Sequence, residues 1–170
     1  MDVGSEVAGM MVAIGSALAA AALLTAAADD LERRTIPNAA AAAVALSALP
    51  FLAGLSAALI LAHVALAIFG LAAGTWAFAR GLLGGGDVKL FAATLLWAGP
   101  DMLQLHLAGT ALVAVGIGVA MLGRQALASR SGMAEPGAAP PEATMPLGVA
   151  IAAGGLLVIL SRVGLLGGPG

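Results

Sequence analysis

Long uninterrupted apolar runs constrain this chain more than any other feature of its sequence. The first run covers residues 7–28 and contains no charged side chain. As a helix it would be about 33 Å long, which is enough to cross the hydrocarbon core of a bilayer. Only 9% of the 170 residues are charged, whereas a soluble domain carries about a quarter. The sequence therefore predicts an all-α, polytopic membrane protein that forms one domain over residues 1–170.

Six apolar segments predict about six transmembrane helices. These segments cover residues 7–28, 37–55, 57–79, 88–99, 103–122 and 146–163. The fourth is short, since its 12 residues make only about 18 Å of helix, and the Gly99-Pro100-Asp101 sequence that follows it is typical of a turn. Two arrangements fit the fourth segment: a short full crossing, or a re-entrant segment that returns to the side it left.

The distribution of basic residues favours six crossings with the N-terminus outside. Lys and Arg concentrate in cytoplasmic loops, and this arrangement puts six of the seven basic residues inside, with Arg162 alone outside. A re-entrant fourth segment gives a five-to-two division instead. The acidic start of the chain is unlike a secretory signal peptide, so the first run is expected to remain as a span. Residues 123–144 contain three prolines and predict a flexible cytoplasmic loop.

Two acidic positions lie at the ends of predicted spans. Asp30 follows the first span, and Asp87 opens the fourth directly after Gly84-Gly85-Gly86. Ionisable groups in membrane segments are costly and usually functional, and the six-crossing arrangement puts both on the cytoplasmic side. Structural explanations also fit, because Asp30 could pair with Arg33 or Arg34 in a solvated loop. Asp87 could likewise cap a helix N-terminus.

Two carboxyl groups held close together would be sufficient for peptide hydrolysis. They cannot both ionise easily, so they share one proton. The ionised member can then activate a water, and the protonated member can donate to the scissile carbonyl oxygen. This chemistry needs no cofactor and no metal. The chain contains no cysteine, which excludes thiolate chemistry. It contains only two histidines, so a metal centre built from histidines is not expected.

Three sequence blocks resemble the motifs of the type IV prepilin peptidase family of GxGD aspartyl proteases, in particular its short form that serves Flp/Tad pili. The first is Asp30 with Ile36-Pro37-Asn38, and the second is Gly84-Gly85-Gly86-Asp87 followed by Val88-Lys89-Leu90. The third is Pro146-Leu147-Gly148, where an aromatic residue is more usual in the family than Leu147. The spacing to Ile36 selects Asp30 over its neighbour Asp29, which remains the fallback.

The resemblance implies a function and a set of site residues. Asp30 and Asp87 would be catalytic. The supporting or substrate-binding residues would be Gly84, Gly85, Gly86, Ile36, Pro37, Asn38 and Lys89. The expected reaction is removal of short basic leader peptides from prepilins or pseudopilins at the cytoplasmic face of the bacterial inner membrane. The long form of the family also methylates the new N-terminus through a region with paired cysteines, so peptidase activity without methylation is expected here.

The expected partners are the leader peptide and the lipid bilayer, with no nucleic acid; the sequence leaves the pilin and the oligomeric state open. One alternative function is a small transporter or channel that uses the carboxylates for protons or cations. Such proteins generally hold ionisable residues near mid-membrane and often contain inverted repeats, whereas these carboxylates lie at span ends. A second alternative is a preflagellin-type peptidase, against which the Ile36-Pro37-Asn38 and Pro146-Leu147-Gly148 blocks argue.

Overall fold

The computed structural model describes residues 3–130 and 145–165, and all regular structure within them is helical. The helices are α1 (Val3–Arg33), α2 (Asn38–Ser47), α3 (Leu49–Ala53), α4 (Ala57–Ala79), α5 (Gly85–Arg130) and α6 (Leu147–Arg162). The all-α prediction is confirmed.

The outer surface of the bundle is apolar, as expected for a membrane protein. α1, α4 and α5 are long and apolar enough to cross a bilayer, and the α2–α3 segment and α6 are shorter apolar helices. Large apolar side chains point outward, among them Leu61, Phe69 and Leu112, which are 69%, 71% and 75% exposed. A surface patch of this kind suits contact with lipid. The number of crossings and the side of the N-terminus stay predictions.

The long helix α5 is divided at Gly99 into a first arm (residues 85–98) and a second arm (residues 100–130). Gly99 has φ 58° and ψ −174°, a backbone conformation that glycine adopts at little cost. Thr94 Oγ1 lies 3.1 Å from His106 Nε2, although the two residues would be about 18 Å apart in a continuous helix. The chain therefore reverses at Gly99, and the predicted short fourth helix and the turn after it are present.

Antiparallel packing collects several helix termini at one end of the bundle. The Val149 N–H of α6 donates to Asp30 of α1 at 3.3 Å, and Gly155 of α6 lies against Leu23 of α1. α1 and α6 therefore run in opposite directions. Because the chain also reverses at Gly99, the last turn of α1 lies beside the first turns of the first arm and α6. We call this the site end, and the opposite one the far end.

An ion pair holds the far end together. The guanidinium of Arg162 contacts both carboxylate oxygens of Asp101, at 2.8 and 2.9 Å. The same side chain donates to the carbonyl oxygens of Trp97 at 3.3 Å and Ala98 at 2.9 Å. The last carbonyls of a helix have no partner within the helix, and lipid offers none. Arg162 therefore caps the C-terminus of the first arm.

His63 completes this cap. Its Nδ1 lies 2.7 Å from the carbonyl oxygen of Leu96, the residue before the two carbonyls that Arg162 binds. The imidazole ring occupies the space in which a Cβ on Gly99 would lie. Glycine at this position is therefore required both by the backbone conformation and by the closeness of the ring. We call His63, Asp101 and Arg162 the Arg162 clamp.

Three predicted boundaries are wrong. The loop predicted over residues 123–144 does not begin at residue 123, because residues 123–130 continue α5 as helix. Residues 131–144 lie outside the described part of the chain, and for them the flexible loop stays a prediction. α1 begins before residue 7 and continues past residue 28 to Arg33, because the acidic and basic residues at its end extend the helix.

Candidate active site

Asp30 lies in the last turn of α1, where its side chain is buried and only 6% of the residue is exposed. A carboxylate is disfavoured at a helix C-terminus, because the helix dipole is negative there. Its Oδ2 accepts the N–H of Val149 at 3.3 Å. Val149 belongs to the first turn of α6, whose N–H groups have no partner within the helix and favour an anion. The start of α6 therefore compensates the poor local position of Asp30.

Asp87 lies in the first turn of α5 and reaches back along the chain. Its Oδ2 accepts the N–H of Gly84 at 3.2 Å, so the carboxylate sits at the third helical position and binds the N-cap residue, as the acid of a capping box does. Asp87 is therefore not the N-cap residue itself, as the sequence had allowed; its side chain binds the N–H of the N-cap residue Gly84. A Cβ on Gly84 would lie 2.7 Å from Asp87 Oδ2, which explains why glycine suits the N-cap.

The structure brings Asp30 and Asp87 together at the site end. Both line a cavity of about 480 Å³ that also touches residues 81–84, Met145 and Leu147. Both also line a second cavity of about 260 Å³ on the side of Ile36. Two acids from segments more than fifty residues apart thus share one open space, as peptide hydrolysis by a carboxyl pair requires.

The Ile36 side chain lies between the segment that carries Asp87 and the start of α6 beside Asp30, and it acts as a spacer between them. A Cβ on Gly86, the residue before Asp87, would lie 2.9 Å from the Ile36 Cβ. A Cβ on Gly148 would lie 2.5 Å from Ile36 Cδ1 and 2.9 Å from Asp30 Oδ2. The Ile36 side chain therefore fits against two glycines, one next to each acid. Removing either glycine would change the separation of the carboxyl groups.

The other predicted supporting residues lie near the acids, and the contacts described for them are with other parts of the chain. Lys89 Nζ donates to Asn38 Oδ1 at 2.8 Å, which joins the start of α2 to the first arm of α5. Pro37 occupies the N-cap position of α2, with φ −62°. A Cβ on Gly85 would lie 3.5 Å from Phe78 Cε2 of α4, which is an ordinary contact distance. These contacts hold the site end in place.

Sequence reasoning missed two features of this site. The Pro146-Leu147-Gly148 block was recognised without a role, and the rule that helix N-termini attract anions could have directed it to an acid. Arg34 was interpreted as a topological charge or as an ion-pair partner of Asp30, without a role in the site, yet it lines both cavities beside the acids. Among residues 3–130 and 145–165, no three His, Asp or Glu side chains are grouped so that they could hold a metal ion.

Comparison with known protein families identifies the chain. Residues 17–122 match the model of the type IV leader peptidase family, and this segment contains both Asp30 and Asp87. The search of curated proteins and the search of solved structures each found no match. Because the family match covers well over half of the chain, and because two acids converge within it, the protein belongs to the type IV leader peptidase family.

Proposed function

We propose that the protein is an aspartyl endopeptidase that removes the short basic leader peptide from type IV or Flp prepilins or from pseudopilins, without methylating the product. The observation that carries this proposal is the shared cavity of Asp30 and Asp87 at the site end. Family membership supports the leader peptide as substrate class. The carboxyl pair supports the aspartyl mechanism. The family match favours a peptidase over a transporter or channel.

The proposed reaction needs one proton shared between the two carboxyl groups. The ionised carboxyl takes a proton from water as the water oxygen bonds to the scissile carbonyl carbon, and the protonated carboxyl donates to the carbonyl oxygen. When the tetrahedral intermediate collapses, the C–N bond breaks, one carboxyl donates its proton to the leaving nitrogen, and the other takes the proton of a hydroxyl of the intermediate as the product carboxyl forms. The pair returns with one proton. Asp30 and Asp87 supply both roles, and no other side chain is needed.

The proposed location is the bacterial inner membrane, as the family resemblance implies, and the charge distribution supports a site on its cytoplasmic side. Lys and Arg concentrate on the cytoplasmic side of membrane proteins. Four described basic residues lie near the site end: Arg33, Arg34, Arg80 and Lys89. A fifth, Arg124, lies near the end of the second arm of α5, which runs away from the far end. At the far end Arg162 is neutralised by Asp101. This asymmetry favours a site end that faces the cytoplasm, where the leader of a prepilin lies.

Co-expression with an Flp-type prepilin tests the proposed function. Intact mass spectrometry of the pilin should show loss of the leader and no added methyl group, and cells that carry an empty vector should retain the full-length prepilin. A prepilin that stays full-length beside well-inserted protein would contradict the peptidase assignment. A methylated product would contradict the second part of the proposal. Carboxylate-dependent ion flux in proteoliposomes would revive the transporter alternative.

Substitution of Gly148 by alanine should lower the rate of leader removal about 100-fold. The new Cβ would lie 2.5 Å from Ile36 Cδ1 and 2.9 Å from Asp30 Oδ2, so the acid must move, and a misplacement of about 1 Å can cost this much. The measurement is the initial rate of cleavage by purified protein. Gly116→Ala is the matched control, because its Cβ meets no atom within 4 Å; equal rates for the two variants would contradict the spacer role of Ile36.

A further inference from the structure

Arg34 has a backbone conformation that its side chain disfavours. Its φ is 55°, and it is the one non-glycine residue with positive φ in the described part of the chain. Its N–H donates to the carbonyl oxygen of Asp30 at 3.2 Å, which closes the end of α1. Glycine is the usual residue at this position of a helix C-terminus, because a Cβ is strained there. An arginine at such a position indicates that its side chain has a use.

The two cavities of the site meet at Arg34. The larger cavity continues past residues 81–84 towards Met145 and Leu147, and the smaller one continues along Thr35 and Ile36. Four residues line both cavities: Asp30, Arg34, Gly84 and Asp87. An extended peptide that occupies both cavities must therefore pass these four residues. The scissile bond lies there as well, because the two acids do.

Arg34 supplies hydrogen-bond donors where the bound peptide needs them. An extended peptide carries a carbonyl acceptor at every residue, and burying one without a donor is costly. Among the described residues that line the two cavities, Arg34 is the one cation, with five N–H donors in a planar fork. The N–H of Gly84 already donates to Asp87. A fork with five donors can serve more than one acceptor at a time, so Arg34 can also donate to carbonyl groups that lose their water on binding.

We propose that Arg34 is a substrate-binding residue whose guanidinium donates to main-chain carbonyl groups of the substrate beside the scissile bond. This inference rests on the proposed peptidase function. It predicts that substitutions of Arg34 weaken substrate binding without lowering the stability of the fold. If Arg34 only closed α1, glycine would serve at least as well. If Arg34 binds substrate, glycine loses binding while the fold keeps or gains stability.

The test compares Arg34→Gly, Arg34→Asn and Arg34→Lys with the wild type, using purified protein and a synthetic peptide that spans a prepilin cleavage site. Glycine and asparagine both tolerate the left-handed conformation, so one remains informative if the other folds poorly. For both variants KM should rise about tenfold or more, the loss expected for a hydrogen bond to a charged group. The unfolding midpoint should stay the same or rise, and Arg34→Lys should retain part of the binding.

Arg33→Gln is the matched control, because it removes the same charge one residue earlier. Arg33 is absent from both cavity linings and pairs with Asp29 at 3.8 Å, so its KM should equal that of the wild type. A wild-type KM for Arg34→Gly and Arg34→Asn would overturn the inference. So would a shifted pH profile of kcat/KM at unchanged KM, because Arg34 would then act through the acids. If the wild type cleaves no peptide, the proposed function fails first, and the inference falls with it.

Discussion

Replacement of either Asp30 or Asp87 by asparagine should abolish leader removal, with a fall in rate of about ten-thousand-fold or more, the size of loss seen when one member of a protease catalytic set is removed. Asparagine keeps the shape of the side chain and can still accept the N–H of Val149 or Gly84. It cannot share a proton. The loss should therefore come without loss of insertion or folding, and pilin mass together with the cleavage rate of purified protein measures it.

Asp29→Asn is the matched control for this experiment. Asp29 precedes Asp30 on α1 and pairs with Arg33 at 3.8 Å, away from both cavities. Its substitution should leave the cleavage rate within about twofold of the wild type, since exposed ion pairs contribute little. Normal processing by Asp30→Asn or by Asp87→Asn would contradict the aspartyl mechanism. Loss of processing by Asp29→Asn in place of Asp30→Asn would move the first acid to Asp29.

Removal of the Arg162 side chain should cause a large loss of stability. Arg162→Met leaves Asp101 without its cation and leaves the carbonyl oxygens of Trp97 and Ala98 without a donor. Each carbonyl oxygen left without a donor costs about 1–3 kcal/mol. Because the Asp101 side chain is 54% exposed, the lost ion pair adds only about 0–1 kcal/mol, and the free energy of unfolding should fall by about 3 kcal/mol. Denaturant titration in detergent micelles measures this change.

Two comparisons sharpen the stability experiment. Arg162→Lys should lose less than Arg162→Met, because it keeps a charge opposite Asp101 but not the fork that binds two carbonyls. Arg124→Met removes a guanidinium from an exposed position of the second arm and should change the free energy of unfolding by less than about 0.5 kcal/mol. A fall of less than about 1 kcal/mol for Arg162→Met would contradict the capping role of the clamp.

Local sequence signals were sufficient for several elements of the fold. The segment predicted over residues 57–79 is α4 without change, because Ser56 caps it by accepting the N–H of Leu59 and a long apolar run follows. The short fourth helix and its turn were also predicted, since Gly99 and Pro100 carry a strong turn signal. The second arm extends past its predicted end because residues 125–128 contain good helix formers, which the search for apolar runs ignored.

The remaining features depend on contacts between distant segments. The N–H of Val149 binds Asp30 across 119 positions of sequence. Arg162 binds residues about sixty positions away, although its charge predicted only the side of the membrane on which it lies. The left-handed backbone of Arg34 has no signature in its own residue type, because arginine is not enriched there. The sequence thus indicated which acids belong together, but not which helix terminus and which cation surround them.

The first arm of α5 is too short for the thickness of an ordinary bilayer. Its 14 residues span about 21 Å, about 9 Å less than the hydrocarbon core of about 30 Å. A helix of this length cannot have one end at each surface of the bilayer. Other helices surround the arm, since Lys89 is its one exposed residue, so lipid does not adjust to its length. The cavity of about 480 Å³ beside Asp87 is instead the space through which the acid can meet the solvent that a hydrolase consumes.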